Sequence, residues 1–259
     1  MPPRHSVSRR ALLAVNATWW LTAQARAAVA DESVRLVVVV VTRSWEATNG
    51  VATWLGRQPG SAWTEAGSGS VTVGRAGCGW GLGLHPDGLE GPAKREGDGR
   101  SPAGVFTIGA AFGAAPALDT GLAYRPLDGD DWCIDVPASP LYNRTVNRRD
   151  VGAAAVVGST EQMRRDLAPA PDGQYAIGFM IGHNPRGLAG MGSCIFGHVV
   201  AGPGVPTSGC TGFHESDLRA LLAWLRADAR PLFALLPRAE ASRLAGWGLP
   251  EPRAPGAAR

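Results

Sequence analysis

The chain has 259 residues, of which 45% are hydrophobic and 18% charged, with 35 glycines, 20 prolines and nine tryptophans. This composition excludes a disordered or collagen-like chain, and so turn-rich and charge-poor a sequence excludes a coiled coil or helical bundle. The formal charge of +3 comes from the start, where Arg4, Arg9, Arg10 and Arg26 meet no acid; without them the 22 acids outnumber the bases, which excludes nucleic acid as a partner.

Residues 1–27 have the parts of an export signal: a basic start, the apolar stretch Ala11 to Ala23, and a small-residue cleavage site at Ala25-Arg26-Ala27. The Ser8 to Leu13 run resembles the twin-arginine type. The apolar stretch is too short to cross a bilayer, and the next one, Leu36 to Val41, is shorter still. The expectation is an exported protein with no transmembrane span once the signal is cleaved.

From Ser33 to Pro237 the pattern predicts one mainly β domain, a sandwich or barrel with one or two short helices. Apolar or alternating runs broken by Gly, Pro, Asn and Asp predict strands over Val34–Thr42, Val51–Arg57, Ser61–Ala66 and Ser70–Arg75. Lys94 to Gly104 carries Gly97-Asp98-Gly99 and reads as a solvated turn leading into a strand over Val105–Ile108. A short helix is predicted over Ser159–Leu167, then strands over Gln174–Ile181 and Ser193–Val200. A second helix is predicted over Glu215–Arg226, where Leu218, Leu221, Leu222 and Leu225 recur at helical spacing. Its first turn is acidic and its last residue basic, in accord with the helix dipole. A strand over Pro231–Leu236 closes the domain, and residues 238–259 read as an Ala/Pro-rich tail that Trp247 could pin.

The chemistry concentrates in Gly192 to Phe213. A strand ends at His198, a loop with Gly202, Gly204 and Pro206 turns back, and Ser208-Gly209-Cys210 arrives just before the second helix. A thiol, an imidazole across a loop, and amides opened by a glycine are the parts of an acyl-transfer site. Phe196-Gly197-His198 followed by Pro206-Thr207-Ser208-Gly209-Cys210 resembles the active-site signature of the L,D-transpeptidase catalytic domain (YkuD type). Lys94 to Phe106, Tyr142-Asn143 and His183-Asn184 match further stretches of that family in order.

The resemblance implies Cys210 as nucleophile and His198 as general base, with the amides around Gly209 and Cys210 holding the oxyanion. Ser208 would join the catalytic group by supplying an orienting hydroxyl, and Thr207, Tyr142 and Asn143 would contact substrate. It further implies peptidoglycan stem peptides as substrate, an amine, water or a wall-attached protein as acyl acceptor, no metal or cofactor, and a bacterial periplasm or cell envelope. This chain departs from the family by carrying Ser208 where a His is usual, by placing Thr211 and Gly212 after the Cys where others reach Arg or Asn, and by a shorter loop after His198.

Other readings of the same residues stand beside this one. Four cysteines in an exported protein allow three disulfide pairings, and the pairing adopted here is Cys133 with Cys194, leaving Cys78 unassigned. Cys194-x3-His198 and Cys210-x3-His214 look like zinc pairs, but residues four apart on one strand stand about 13 Å apart, too far for one tetrahedral ion. His183 is a rival base, more in keeping with a turn-holding role beside Asn184-Pro185. A non-catalytic wall-binding domain of the same fold is the alternative outside enzymes.

Overall fold

The computed structural model describes residues 29–167 and 172–252. The export signal lies outside the described residues. The fold is mainly β, and its centre is a closed barrel of eight strands: β1 (Leu36–Thr42), β2 (Asn49–Gly56), β3 (Thr64–Thr72), β5 (Ser101–Gly113), β10 (Ile177–Ile181), β11 (Phe196–Val199), β12 (Thr211–Phe213) and β13 (Leu232–Pro237). They run in the order β10-β11-β12-β3-β2-β1-β13-β5, and β5 pairs with β10 to close the circuit. The short strands β4 (Cys78–Trp80) and β6 (Tyr124–Pro126) add to β5, while β7 (Asp131–Cys133), β8 (Thr145–Asn147) and β9 (Glu161–Gln162) form a separate three-stranded sheet.

β1 explains its own sequence. Its LVVVVVT run shows no alternation because it is flanked on both edges, by β2 antiparallel and by β13 parallel in the register Val37↔Leu232 to Thr42↔Pro237, and covered on both faces. Val37 to Val40 are fully buried. Each such side chain contributes about 1.5–3 kcal/mol by leaving water, so this strand is a major share of the core.

The two strands expected over Ser61–Ala66 and Ser70–Arg75 are one strand, β3. Gly67 does not break the strand but is a close-approach site: a Cβ there would lie 2.5 Å from the Trp54 ring, which lies across the β2–β3 ladder at that point. The short strand expected over Val105–Ile108 is likewise part of the 13-residue β5.

The helix expected over Ser159–Leu167 is absent. Glu161 instead pairs with Cys133 across β9 and β7, Asp135 accepts from the backbone N–H and hydroxyl of Thr160, and only a single 3-10 turn forms over Arg165–Leu167. Tertiary strand pairing overrides the weak helical preference of this stretch. Of the three short α-helices among the described residues, α1 (Arg148–Val151) and α3 (Arg243–Gly246) are single turns. The longest, α2 (Glu215–Trp224), buries Leu218, Leu221 and Leu222 in the same cluster as Phe179, Phe213 and Phe233.

The packed unit continues past Pro237. α3 buries Leu244, and Trp247 and Leu249 follow it into the core. The Trp247 ring meets Trp80 edge-on, and its carbonyl accepts from Ala30 N–H at 3.0 Å, so the end of the described chain is tied to its beginning.

A disulfide joins Cys133 on β7 to Cys194, just ahead of β11, and links the small sheet to the barrel. Cys78 and Cys210 are free and buried.

Candidate active site

β11 and β12 are parallel neighbours, paired Gly197↔Thr211, His198↔Gly212 and Val199↔Phe213. Cys210 lies one step before Thr211 and so beside Phe196; aligned residues of parallel strands face the same way, and so do residues two apart on one strand. Cys210 and His198 therefore share a face, with their Cα atoms about 8 Å apart on ideal strand spacing. Both line a polar cavity of about 280 Å³ together with Tyr175, Ser208, Arg75 and Lys94.

The Cys210 sulfur accepts Phe196 N–H at 3.3 Å, and its S–H points to the Cys194 carbonyl at 3.5 Å. Its carbonyl accepts from the hydroxyls of Ser101 and Thr207, both at 2.7 Å, which anchors the residue to β5 and to its own loop. Burial, and after it the Glu161 charge, pushes the thiol up to about 12; Phe196 N–H, Lys94 and Tyr175 oppose this more weakly.

Gly209 holds φ +153°, a region L side chains rarely adopt, and an added Cβ would press on the Arg100 carbonyl at 3.1 Å. Its N–H donates to Thr207 Oγ1 at 3.2 Å, so the Gly209 amide, expected to face an oxyanion, is already engaged. Thr207 is thereby a loop clamp: its own N–H donates to the Val73 carbonyl, and its carbonyl accepts Arg75 N–H. Ser208 is exposed, and its hydroxyl accepts from Arg75 Nη1 at 3.1 Å.

His198 donates from Nδ1 to the Val199 carbonyl at 2.8 Å, which leaves Nε2 as the unprotonated nitrogen. Its ring meets Tyr175 edge-on at 5.2 Å, and burial pulls its pKa down to about 4. No hydrogen bond joins His198 to Cys210 among the described residues. Between the pocket and the small sheet stands a pair that the sequence reading missed: the Tyr175 hydroxyl donates to Glu161 at 2.6 Å, while Arg165 holds Asp172 and reaches Glu161 at 3.8 Å. Burial raises both the Glu161 carboxyl and the Tyr175 hydroxyl above their usual ranges.

No family model, curated protein or solved structure matches this chain.

Tyr142 and Asn143, expected to contact substrate, do not line the pocket. The Tyr142 hydroxyl donates to Glu96 and accepts Gly192 N–H; Asn143 donates to the carbonyls of His183 and Asn184 and accepts Cys194 N–H at 2.9 Å. They fix the loop carrying the disulfide, one layer behind Cys210. His183 is equally committed: Nδ1 accepts Leu82 N–H, Nε2 donates to the Met191 carbonyl, and burial pulls its pKa to about 4. It joins two loops and is not placed as a base. The zinc pair Cys194-x3-His198 loses its thiolate, because Cys194 is in the disulfide. Lys94, read as part of a solvated turn, is buried at the pocket wall with Nζ on Asp98 and on the Arg95 carbonyl.

A larger cavity of about 480 Å³ lies beyond the 200–206 loop, lined by Val41, Thr53, Ser70, Val200, Gly204 and His214 among others; no cysteine lines it.

Proposed function

We propose that this protein is an exported cysteine acyltransferase of the L,D-transpeptidase kind, acting on peptidoglycan stem peptides through a thioester. The observation that carries the reading is a free thiol, Cys210, in a polar pocket, with its sulfur on a backbone N–H and the imidazole of His198 on the same strand face with Nε2 unprotonated. In the proposed reaction Sγ attacks the acyl carbonyl while its proton passes to His198 Nε2. The C–N bond then breaks and the amine leaves with that proton; an incoming amine or water takes the acyl group as the C–S bond breaks, its proton passing through His198 Nε2 to the sulfur and restoring the thiol. An amine on another stem or on a wall-attached protein makes the reaction a cross-linking or attachment; water makes it an L,D-carboxypeptidase. The Cys133–Cys194 disulfide fits an oxidising compartment such as the bacterial periplasm or envelope.

A second reading, a non-catalytic wall-binding domain, is favoured by one observation: in this conformation the thiol is pushed up to about 12 and makes no hydrogen bond to His198. Intact-mass spectrometry of the protein mixed with disaccharide-tetrapeptide, and separately with a carbapenem, decides between the two. The enzyme reading expects an adduct on Cys210 that Cys210→Ala removes, with His198→Ala slowing its formation by about 10²–10⁴-fold and partly recovering at high pH. No adduct at any pH, with muropeptide still bound, would establish the wall-binding reading instead.

A further inference from the structure

Of the pocket's three Lys and Arg side chains, two are paired with carboxylates and Arg75 is not. Lys94 sits on Asp98 at 2.5 Å, and Arg165 makes three hydrogen bonds to Asp172 at 2.6, 2.9 and 3.0 Å. Glu96 accepts from the hydroxyls of Tyr142 and Ser193, and Glu161 accepts from Tyr175. Arg75 has no carboxylate partner among the described residues; its one side-chain hydrogen bond goes to the neutral hydroxyl of Ser208.

Arg75 is nevertheless held in place. Its backbone N–H donates to the Thr207 carbonyl at 2.8 Å, and its side chain lies over Gly99, where an added Cβ would meet Cγ, Nε and Cζ at 3.0–3.1 Å. With Nη1 on Ser208, the rest of the guanidinium fork is free to donate, and a fork of that shape matches a carboxylate bidentately. Ser208 is two residues from Cys210, a span of at most about 7 Å, and one residue of a bound peptide beyond the scissile carbonyl covers about 3.8 Å. A terminal carboxylate one residue past the bond that Cys210 breaks falls within the guanidinium's reach.

We propose that Arg75 is the specificity-determining residue of the site and binds the terminal carboxylate of the residue that the acyl donor expels. This rests on the acyl-transfer reading above.

The test compares a tetrapeptide donor ending in a free carboxylate with the same peptide ending in a carboxamide, using wild type, Arg75→Gln and Arg75→Lys. Wild type is expected to favour the acid by about 10–100-fold in kcat/KM, the value of a charge-assisted contact. Arg75→Gln should lose that factor on the acid and change little on the amide, and Arg75→Lys should restore part of it. Equal loss on both peptides, or a preference that survives Arg75→Gln, overturns the proposal. Calorimetric binding of both peptides to Cys210→Ala, with and without Arg75→Gln, separates the two ideas. Arg75-dependent preference in binding without any thioester in wild type upholds the carboxylate site and overturns acyl transfer. A thioester on Cys210 with no Arg75-dependent preference does the reverse.

Discussion

Acidification from pH 7 toward pH 5 should destabilise this protein through its buried histidines: His183 and His198 carry the largest shifts, and His85, also pulled down by burial, acts in the same direction. His183 must stay neutral because Nδ1 accepts Leu82 N–H while Nε2 donates to Met191; a second proton would break the first bond. His198 is buried against Tyr175 with no acid bonded to it. Both pKa values fall from 6.5 to about 4, chiefly by burial. The folded state therefore refuses protons that the unfolded chain takes up below pH 6.5, so stability present above that pH is lost as the pH drops toward 4. From pH 7 to pH 5 each histidine accounts for about 2 kcal/mol by linkage, and the pair for about 4 kcal/mol. Glu161, whose carboxyl is raised by burial, acts in the opposite sense, so the comparison is best made between variants. Urea unfolding of the oxidised protein at pH 7 and pH 5 should show a loss, and in His183→Gln that loss should be smaller by about 2 kcal/mol, whatever the variant's own baseline stability. A pH-independent unfolding free energy over this range, or an undiminished dependence in the variant, would refute the reasoning.

Alkylation of Cys210 by iodoacetamide should rise about tenfold per pH unit from 7 to 10 without levelling, because a thiol pushed up to about 12 leaves little thiolate to saturate. A plateau near neutral pH would reveal a resting thiolate–imidazolium pair and contradict the site geometry. Gly67→Ala drives a methyl to 2.5 Å from the Trp54 ring and should cost about 1–3 kcal/mol, read as a lowered Tm; an unchanged Tm would show that β2 and β3 are not packed as described. Replacing Cys133 and Cys194 together with serine opens a loop of 61 residues and should cost about 4 kcal/mol in denaturant unfolding, and no change would mean that the bond does not form.

Legibility in the sequence followed how local each determinant is. The uninterrupted valines of β1 and the leucine spacing of α2 announce their elements because burial on two faces, or on one stripe, imposes its period directly on the residues involved. The helix end was placed two residues late, at Arg226, where the structure stops at Trp224. The crossing from His198 to Cys210 was readable from its glycines and proline. Gly67 misled because a glycine demanded by a ring on the next strand looks the same as one demanded by a turn. Lys94 misled because its turn is real while its side chain points inward. Tyr175, Glu161 and Arg75 were invisible for a different reason: each reaches the pocket from a distant segment, and nothing in their local sequence records the partner. Tyr142 and Asn143 were placed one layer too close to the chemistry, since a pattern of residue types does not distinguish a wall from what braces it.

The join between β11 and β12 separates two properties of the pocket. Parallel neighbours cannot be linked by a tight turn, so the chain must leave the sheet after Val199 and return before Thr211. It is fastened at both ends of the excursion, by Val200 N–H on the Phe213 carbonyl and by Thr207 N–H on the Val73 carbonyl. Between these points residues 201–206 are largely exposed, and Gly204 lines the larger cavity. Insertions or exchanges there leave Cys210 and His198 in register, because the ladder and not the loop sets their spacing. What they alter is the wall of the larger cavity, which Gly204 lines. Change in the loop is thereby uncoupled from the spacing of Cys210 and His198, which the strand pairing holds.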